Sequence, residues 1–289
     1  MEAENRPEFK IGSIRPEWPG AFGELLSSKM RARIGQEKGI YLAGLASGEF
    51  AAGVMAFAAV EEHLEILYLY VAPYFRGCGG GSMLLRAVEE IAVQAAWWVS
   101  ADFAVVDEET AKLDSLFQNA GYTLREDSDV NTYMVTLDEC EASESLMKAR
   151  EDEKLRFFSE ADRRLLDLYT AQAVERSAPL PHGGFNGPDI RPELSVFYEE
   201  QGRLKGFVSV EGGVRKSVLR LSAAYNSGEN PLMLMWMIKK AFLAAKERYA
   251  GKTRIIIDVV DEIAERYVQY VLPEAKEVSR TYDKVPEEA

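Results

Sequence analysis

Cysteine and histidine are scarce in this chain of 289 residues. It has two cysteines, Cys78 and Cys140, and two histidines, His63 and His182. Two cysteines are too few for a disulfide framework, and these four residues are not spaced in the pattern of a zinc site. We therefore expect neither a fold held by disulfides nor a bound metal.

Long apolar runs are missing as well. The longest are strand-sized or interrupted by charges, and residues 1–10 are polar and acidic. This pattern indicates neither a membrane span nor a secretory leader, so we expect a cytoplasmic protein without a membrane partner. The composition, 47% hydrophobic and 28% charged, is typical of a globular protein long enough for two domains.

Basic side chains are outnumbered, which gives the chain a formal net charge of −13. The excess of acidic side chains is concentrated in residues 1–140, which carry 11 basic and 22 acidic side chains. The remainder carries 23 basic and 25 acidic ones. Such a charge disfavours nucleic acid as a partner and suits a cationic substrate. For most of these residues, however, solubility is a sufficient explanation.

One stretch combines a strand, a glycine-rich loop and a helix. The apolar run Leu64–Val71 predicts a strand, the glycines from Gly77 to Gly81 end it, and residues 82–94 predict a helix. Glycines let the backbone approach a ligand closely, and the N–H groups and dipole of the new helix attract anions. The stretch therefore predicts a cradle for phosphate groups.

Other glycine loops fit this spacing less well. A kinase-type P-loop is excluded because no Gly-Lys-Ser/Thr follows. The dinucleotide fingerprint is a nearer rival, since Asp107 follows a later strand, where an acid that binds ribose would stand. However, Gly77-x-Gly79-x-x-Ser82 departs from that fingerprint at its third glycine. An ordinary turn has little use for so many glycines.

The run at residues 71–81, VAPYFRGCGGG, resembles the acetyl-CoA-binding motif of the GNAT superfamily of N-acetyltransferases. The core of that motif is Arg/Gln-x-x-Gly-x-Gly/Ala, and it is matched at Arg76, Gly79 and Gly81. Downstream, residues 117–122, FQNAGY, resemble the family's second motif, Tyr-x-x-x-Gly-Phe, with both aromatic identities exchanged.

The resemblance implies a mixed α/β fold, a mostly antiparallel mixed sheet flanked by helices. The predicted elements of residues 5–138 follow the family's order, β-α-β-β-β-α-β-α-β-β, and end in a hairpin of residues 122–125 and 131–137 across the turn 126–129. We therefore expect a GNAT domain at 1–138 and a charged linker at 139–153.

The second half repeats the first with a period of roughly 150 residues. Residues 218–224 correspond to the strand before the glycine loop and residues 232–249 to the helix after it. The loop between them has one glycine, no arginine, and Glu229, whose charge repels phosphate. We therefore expect a degenerate GNAT-like domain at 154–289 without a cofactor site.

The resemblance also implies the chemistry. Acetyl-CoA would be the acyl donor, and a primary amine of a small molecule would attack its thioester directly. Glu65, on the strand before the loop, is the candidate general base. The residues expected to bind the cofactor are Leu69, Tyr70, Val71, Arg76, Gly77, Cys78, Gly79, Gly80, Gly81, Ser82, Thr110 and Phe117.

The general acid is not identified. Phe117 stands where the family has a tyrosine acid, and Thr110 where it often has asparagine. Either another tyrosine serves, or the thiolate leaves unassisted, or the protein is a catalytically silent acyl-CoA sensor or scaffold. We expect a monomer or homodimer, and the tyrosines available are Tyr68, Tyr70, Tyr122 and Tyr133.

Overall fold

The computed structural model describes residues 7–17, 19–125, 131–150, 152–176, 180–181, 184–212, 217–227, 230 and 232–285. The predicted turn at 126–129, His182 and Glu229 lie outside these residues. The chain divides into two compact units, Met1–Ser128 with Ser279–Ala289, and Asp129–Val278. This division differs from the predicted ranges 1–138 and 154–289, because the end of the chain belongs to the first unit.

Each unit has a seven-stranded, mostly antiparallel mixed sheet flanked by helices, which confirms the predicted fold class. The helices of the first unit are α1 (Ser28–Gln36), α2 (Gly80–Ala95) and α3 (Glu108–Asn119), with 3₁₀ turns at Gly20–Leu25 and Pro73–Phe75. Its strands, in the order of the sheet, are β1 (Phe9–Ile14), β2 (Ile40–Ser47), β3 (Phe50–Val60), β4 (His63–Val71), β5 (Trp98–Ala104), β14 (Ser279–Lys284) and β6 (Thr123–Arg125).

The second unit repeats this arrangement. Its helices are α4 (Leu137–Ala142), α5 (Glu144–Met147), α6 (Arg163–Arg176), α7 (Met233–Lys246) and α8 (Glu262–Val271), with a 3₁₀ turn at Phe158–Glu160. Its strands, in the order of the sheet, are β13 (Lys276–Glu277), β7 (Asn131–Thr136), β12 (Arg254–Val259), β11 (Val218–Asn226), β10 (Arg203–Gly212), β9 (Val196–Glu200) and β8 (Leu155–Phe157).

The predicted hairpin of residues 122–125 and 131–137 is wrong. Strand β6 pairs with β14, whereas β7 pairs with β12 and β13 in the other sheet. Each sheet therefore contains one strand from the opposite half of the sequence. The reason is physical: local alternation identifies a strand, but it does not encode which sheet offers an open edge to that strand.

Residues 139–153, predicted as a linker, belong to the core of the second unit. They include most of α4 and all of α5, and the side chains of Cys140, Leu146 and Ala149 are buried. Ser143 lies between the two helices, caps α5 and donates to the carbonyl of Val271. The charged side chains of this segment lie on its exposed side. Its overall composition therefore does not reveal that the apolar side chains of the other side are buried.

Both faces of the first sheet are packed near β3 and β4. Helix α2 buries Leu84, Leu85 and Val88 against one face, while Met30 of α1 and neighbouring apolar residues cover the other. No helix among the described residues is long and apolar enough to cross a membrane.

Strand β4 has a neighbouring strand on both edges over its first half and on one edge over its second half. The candidate site lies beside the second half. The strand pairs in parallel with β5 only from His63 to Ile66, opposite Trp98 to Ala101. The register with β3 shifts between Ala56 and Phe57, which places a bulge at Leu67. Beyond the bulge, β4 continues to Val71 beside β3 alone, so among the described strands its other edge has no partner.

Candidate active site

The glycine loop follows directly from the unpaired end of β4. Gly77 has φ +77° and Gly79 has φ +87°, values that side chains rarely adopt, and an added Cβ at either position would meet open space. Gly80 lies against the sheet, where a Cβ would stand 2.6 Å from Cδ2 of Leu45. The loop is thus open on its outer side and closely packed beneath.

Helix α2 begins at this loop with its first N–H groups available. Its N-cap is Gly79, which has no side chain to accept from them, and no other side-chain cap bond is formed. The backbone N–H groups of Gly80, Gly81 and Ser82 therefore point out of the helix without an intrahelical partner. Together with the helix dipole they form a site for an anion such as pyrophosphate.

Arg76 and Cys78 are exposed at the rim of the loop. Arg76 Nε donates to the carbonyl of Val71 at 2.9 Å, and its guanidinium lies 5.4 Å from the ring centroid of Tyr70. Another guanidinium nitrogen is 3.1 Å from a carboxylate oxygen of Glu109, at the start of α3. The arginine is thus held across the unpaired end of β4.

Glu65 is half-buried on β4, two residues before the bulge at Leu67. Its neighbours Leu64 and Ile66 face the core beneath α2, so Glu65 faces the opposite side of the sheet. Across the strands it is in register with Ser100 of β5, and Ser100 is in register with Asp283 of β14. This row of polar residues lies beside the point where β4 and β5 separate.

Asp283 was not a predicted site residue. One of its oxygens is buried and has no hydrogen-bond partner among the described residues, while the other lies 3.4 Å from Nε of Arg125. Burial raises the pKa of Asp283, and the charge of Arg125 opposes that effect. The one signal in the sequence was the pair Thr281-Tyr282, which repeats Thr132-Tyr133 of the earlier strand.

The four candidate tyrosines have different surroundings. The hydroxyl of Tyr68 donates to the carbonyl of Leu25 at 2.8 Å, and Tyr122 is buried, which raises its pKa. Tyr133 lies in the second sheet and donates to Glu265 at 2.6 Å. Tyr70 is half-buried beside Arg76, and its hydroxyl has no hydrogen-bond partner within the described part of the chain.

Phe117 and Thr110 have structural roles. The ring of Phe117 is 2% exposed and packs against those of Phe103 and Tyr282, which also contact each other. Thr110 forms a capping box with Asp107 at the start of α3, where its hydroxyl accepts from two backbone N–H groups. Within the described residues, neither side chain forms a polar contact with the glycine loop.

The second unit has the same strand geometry with different side chains at the matching positions. Its strands β11 and β12 pair in parallel over four residues and then separate, with a matching bulge at Ser222. Arg220 occupies the position that Glu65 has in the first sheet, and it forms an ion pair with Asp258. Among the described residues, no group of three or more His, Cys, Asp or Glu side chains is arranged to hold a metal.

The separated strands, the open glycine loop and the uncapped helix lie together in the first unit. Residues 11–122 match the model of the acetyltransferase (GNAT) family. This part of the first unit is therefore similar to the GNAT acetyltransferases.

Solved structures with the same fold include a tandem GNAT protein from the clavulanic acid biosynthesis pathway, without acetyl-CoA. It is 12% identical, with a TM-score of 0.57 over 97% of this chain and 100% of that chain. A GCN5-related N-acetyltransferase from Sphaerobacter thermophilus is 17% identical, with a TM-score of 0.46 over 97% of each chain. No curated protein matches the sequence. The first of these likenesses supports the tandem GNAT fold.

Proposed function

We propose that the protein transfers an acetyl group from acetyl-CoA to a primary amine of a small molecule, and that the first unit carries out the transfer. The observation that carries this proposal is the unpaired end of β4, which runs into an open loop with left-handed glycines and an uncapped helix N-terminus. Such an arrangement binds an extended chain along the strand and its phosphates at the helix.

In this proposal, backbone groups of Leu69, Tyr70 and Val71 hold the pantetheine and orient the acyl oxygen. The N–H groups of residues 77–82 hold the pyrophosphate. Binding in this way fixes the thioester beside the strand and converts the attack of the amine into an effectively unimolecular step. Backbone donors at the acyl oxygen stabilise the charge that develops on it.

Glu65 is the proposed base. Its carboxylate lies on the face of β4 away from the α2 core, next to the point where the strands part. There it takes a proton from the attacking amine, directly or through water. The carboxylate of Asp283 lies in register across Ser100, where its charge is paired with that of Arg125.

Tyr70 is the proposed acid. Of the four candidate tyrosines, it is the one whose hydroxyl is neither engaged in a hydrogen bond nor buried in the core of a unit, within the residues described. It stands on the parted end of β4, where it protonates the sulfur as the thiolate leaves. The proton of the amine thus passes to Glu65, and the sulfur takes its proton from Tyr70.

A second candidate function rests on Phe117. Because this position has no hydroxyl and lies in the core, the first unit lacks the acid that the family's motif carries. A protein that binds acyl-CoA without turnover, as a sensor or scaffold, is consistent with that loss.

One experiment separates the two functions. Release of free thiol from acetyl-CoA is followed across a panel of small amines, together with the mass of each amine. Transfer predicts thiol release matched by acetylated amine, and a roughly 10²–10⁴-fold lower rate in Glu65→Gln. Glu62→Gln, in the exposed turn before β4, is the matched control and keeps the wild-type rate. Binding of CoA without turnover on any amine supports the silent protein instead.

A further inference from the structure

Two contacts place helix α3 beside the glycine loop of the first unit. A guanidinium nitrogen of Arg76 lies 3.1 Å from a carboxylate oxygen of Glu109, in the first turn of α3. Nearer the end of the helix, a Cβ added to Gly81 would stand 3.2 Å from Cδ2 of Leu116. Glu109 and Leu116 are separated by two helical turns, so one side of α3 borders the loop along that length.

Lys112 lies on the same side of α3. It stands three residues after Glu109 and four before Leu116, the two spacings that bring helical side chains together. Side chains of a helix also lean toward its N-terminus, and this directs Lys112 toward Glu109 and Arg76. The four-carbon stem of the lysine therefore brings its ammonium group within reach of the open side of the loop.

The charge of Lys112 is available to a ligand. The residue is exposed, and within the described part of the chain its ammonium forms no hydrogen bond or ion pair. Glu109 pairs with Arg76, which also donates to the carbonyl of Val71. Glu108, four residues before Lys112, is exposed and forms no ion pair with it. Lys112 thus offers the loop a positive charge that no carboxylate among these residues neutralises.

The second unit has a different arrangement at the matching position. Asp107 caps α3 and Asp261 caps α8. Counting from these caps places Arg266 where the first unit has Lys112. Arg266 donates to Glu262, four residues before it, at 3.1 Å. The cation is therefore paired within the helix in the unit whose loop is poor in glycine, and it is left unpaired in the unit that has the glycine loop.

We propose that Lys112 binds a phosphate group of the acyl-CoA. The inference rests on the proposed function, in which the N–H groups of the loop hold the pyrophosphate. A lysine ammonium is a compact charge that donates to phosphate oxygens, and such charge-assisted bonds are stronger than neutral ones. CoA carries phosphate in two places, the pyrophosphate and the 3′-phosphate of its ribose, and both present the same oxygen chemistry to the ammonium.

The first test is calorimetric titration of CoA into the full chain. Lys112→Gln retains most of the side chain and removes its charge, so the Kd should rise roughly three- to tenfold at low salt. Added salt should reduce the difference, because the group is exposed. Lys112→Arg retains the charge and should bind CoA within about twofold of wild type. Arg266→Gln, the matched change in the second unit, should leave binding unchanged.

Shortened ligands identify the phosphate. Dephospho-CoA lacks the 3′-phosphate and pantetheine lacks every phosphate, and binding of pantetheine is measured by competition against CoA. If Lys112 holds the 3′-phosphate, wild type and Lys112→Gln bind dephospho-CoA alike. If it holds the pyrophosphate, the difference persists with dephospho-CoA. In both cases the two proteins should bind pantetheine alike.

Three outcomes would overturn the inference while leaving the proposed function intact, because in each of them wild type still binds CoA. Lys112→Gln could bind CoA as tightly as wild type, it could lose as much affinity for pantetheine as for CoA, or Arg266→Gln could weaken CoA binding equally. A wild-type chain that does not bind CoA would instead overturn the proposed function, and this inference with it.

Discussion

The rings of Phe117 and Tyr282 lie nearly parallel, with centroids 5.5 Å apart and planes inclined by 13°. Phe117 is the residue of α3 that stands in place of the family's tyrosine. Tyr282 comes from β14, near the end of the chain, and is fully buried in the core of the first unit. Its hydroxyl donates to Asp114 and accepts from Gln118, both at 3.0 Å. The core behind the proposed site is therefore completed by the last strand of the sequence.

Tyr282→Ala should strongly destabilise the first unit. Removing a fully buried aromatic ring costs about 3–5 kcal/mol, and the hydrogen bonds to α3 are lost as well. Denaturant unfolding followed by CoA binding measures the effect. Val285→Ala, at an exposed residue next to the strand, is the control and should change little. A loss below about 1 kcal/mol in Tyr282→Ala would contradict the placement of β14.

The order of the elements in each half was predictable because each has a clear local pattern. Strand β4 was predicted at Leu64–Val71 and begins one residue earlier, at His63, since an apolar run and turn signals mark it. Strand β14 was not predicted, because SRTYDK has little apolar alternation on its own and gains its stability from the sheet that it enters. The placement of β14 in the first sheet and of β7 in the second depends on contacts between residues that are far apart in the sequence.

The conformation of the glycine loop was likewise predictable from sequence, whereas the surroundings of the tyrosine hydroxyls were not. The positive φ of Gly77 and Gly79 is what a run of glycines indicates. The hydroxyl of Tyr68, by contrast, looked available until the structure showed its bond to the carbonyl of Leu25. Predicting that Glu65, Ser100 and Asp283 lie in one row requires knowing the register of three strands from distant parts of the chain.

Tyr70→Phe should lower turnover and spare cofactor binding. If its hydroxyl protonates the leaving thiolate, the loss is roughly 10²–10⁴-fold in kcat with little change in the Kd of CoA. Tyr68→Phe is the matched control on the same strand, because it removes a hydroxyl already bound to Leu25. Equal rates for the two variants would show that Tyr70 is not the acid.

Glu109→Gln should tighten CoA binding. The carboxylate pairs with Arg76 at 3.1 Å and thereby competes with the phosphates for its charge. Because the pair is exposed, the gain should be modest, about two- to fivefold at low salt, and should shrink as salt is added. Glu108→Gln, in the same first turn of α3, is the control without that pair and should have little effect. Weaker binding in Glu109→Gln would show instead that Glu109 positions Arg76 for the cofactor.

Glu139 should make the second unit sensitive to acid. It accepts from the backbone N–H and the hydroxyl of Thr136, both at 2.7 Å, and these bonds lower its pKa. Its stabilising effect, about 1 kcal/mol for a capping interaction, is complete above the ordinary glutamate pKa of about 4.3 and is lost as pH falls through the lower folded value. Unfolding of wild type and Glu139→Gln should therefore differ near neutral pH and converge in acid. Glu153→Gln, an exposed glutamate of the same unit, should show no such difference.

Calorimetric titration of CoA into the full chain tests most directly that the first unit alone provides the acyl-CoA site. We predict one site per chain, abolished in Gly79→Val because a side chain there both strains a backbone at φ +87° and blocks the approach of the phosphates. Gly48→Val introduces comparable strain at φ +58° in the turn between β2 and β3, and it should keep the site. Two sites per chain, or unchanged binding in Gly79→Val, would contradict the account.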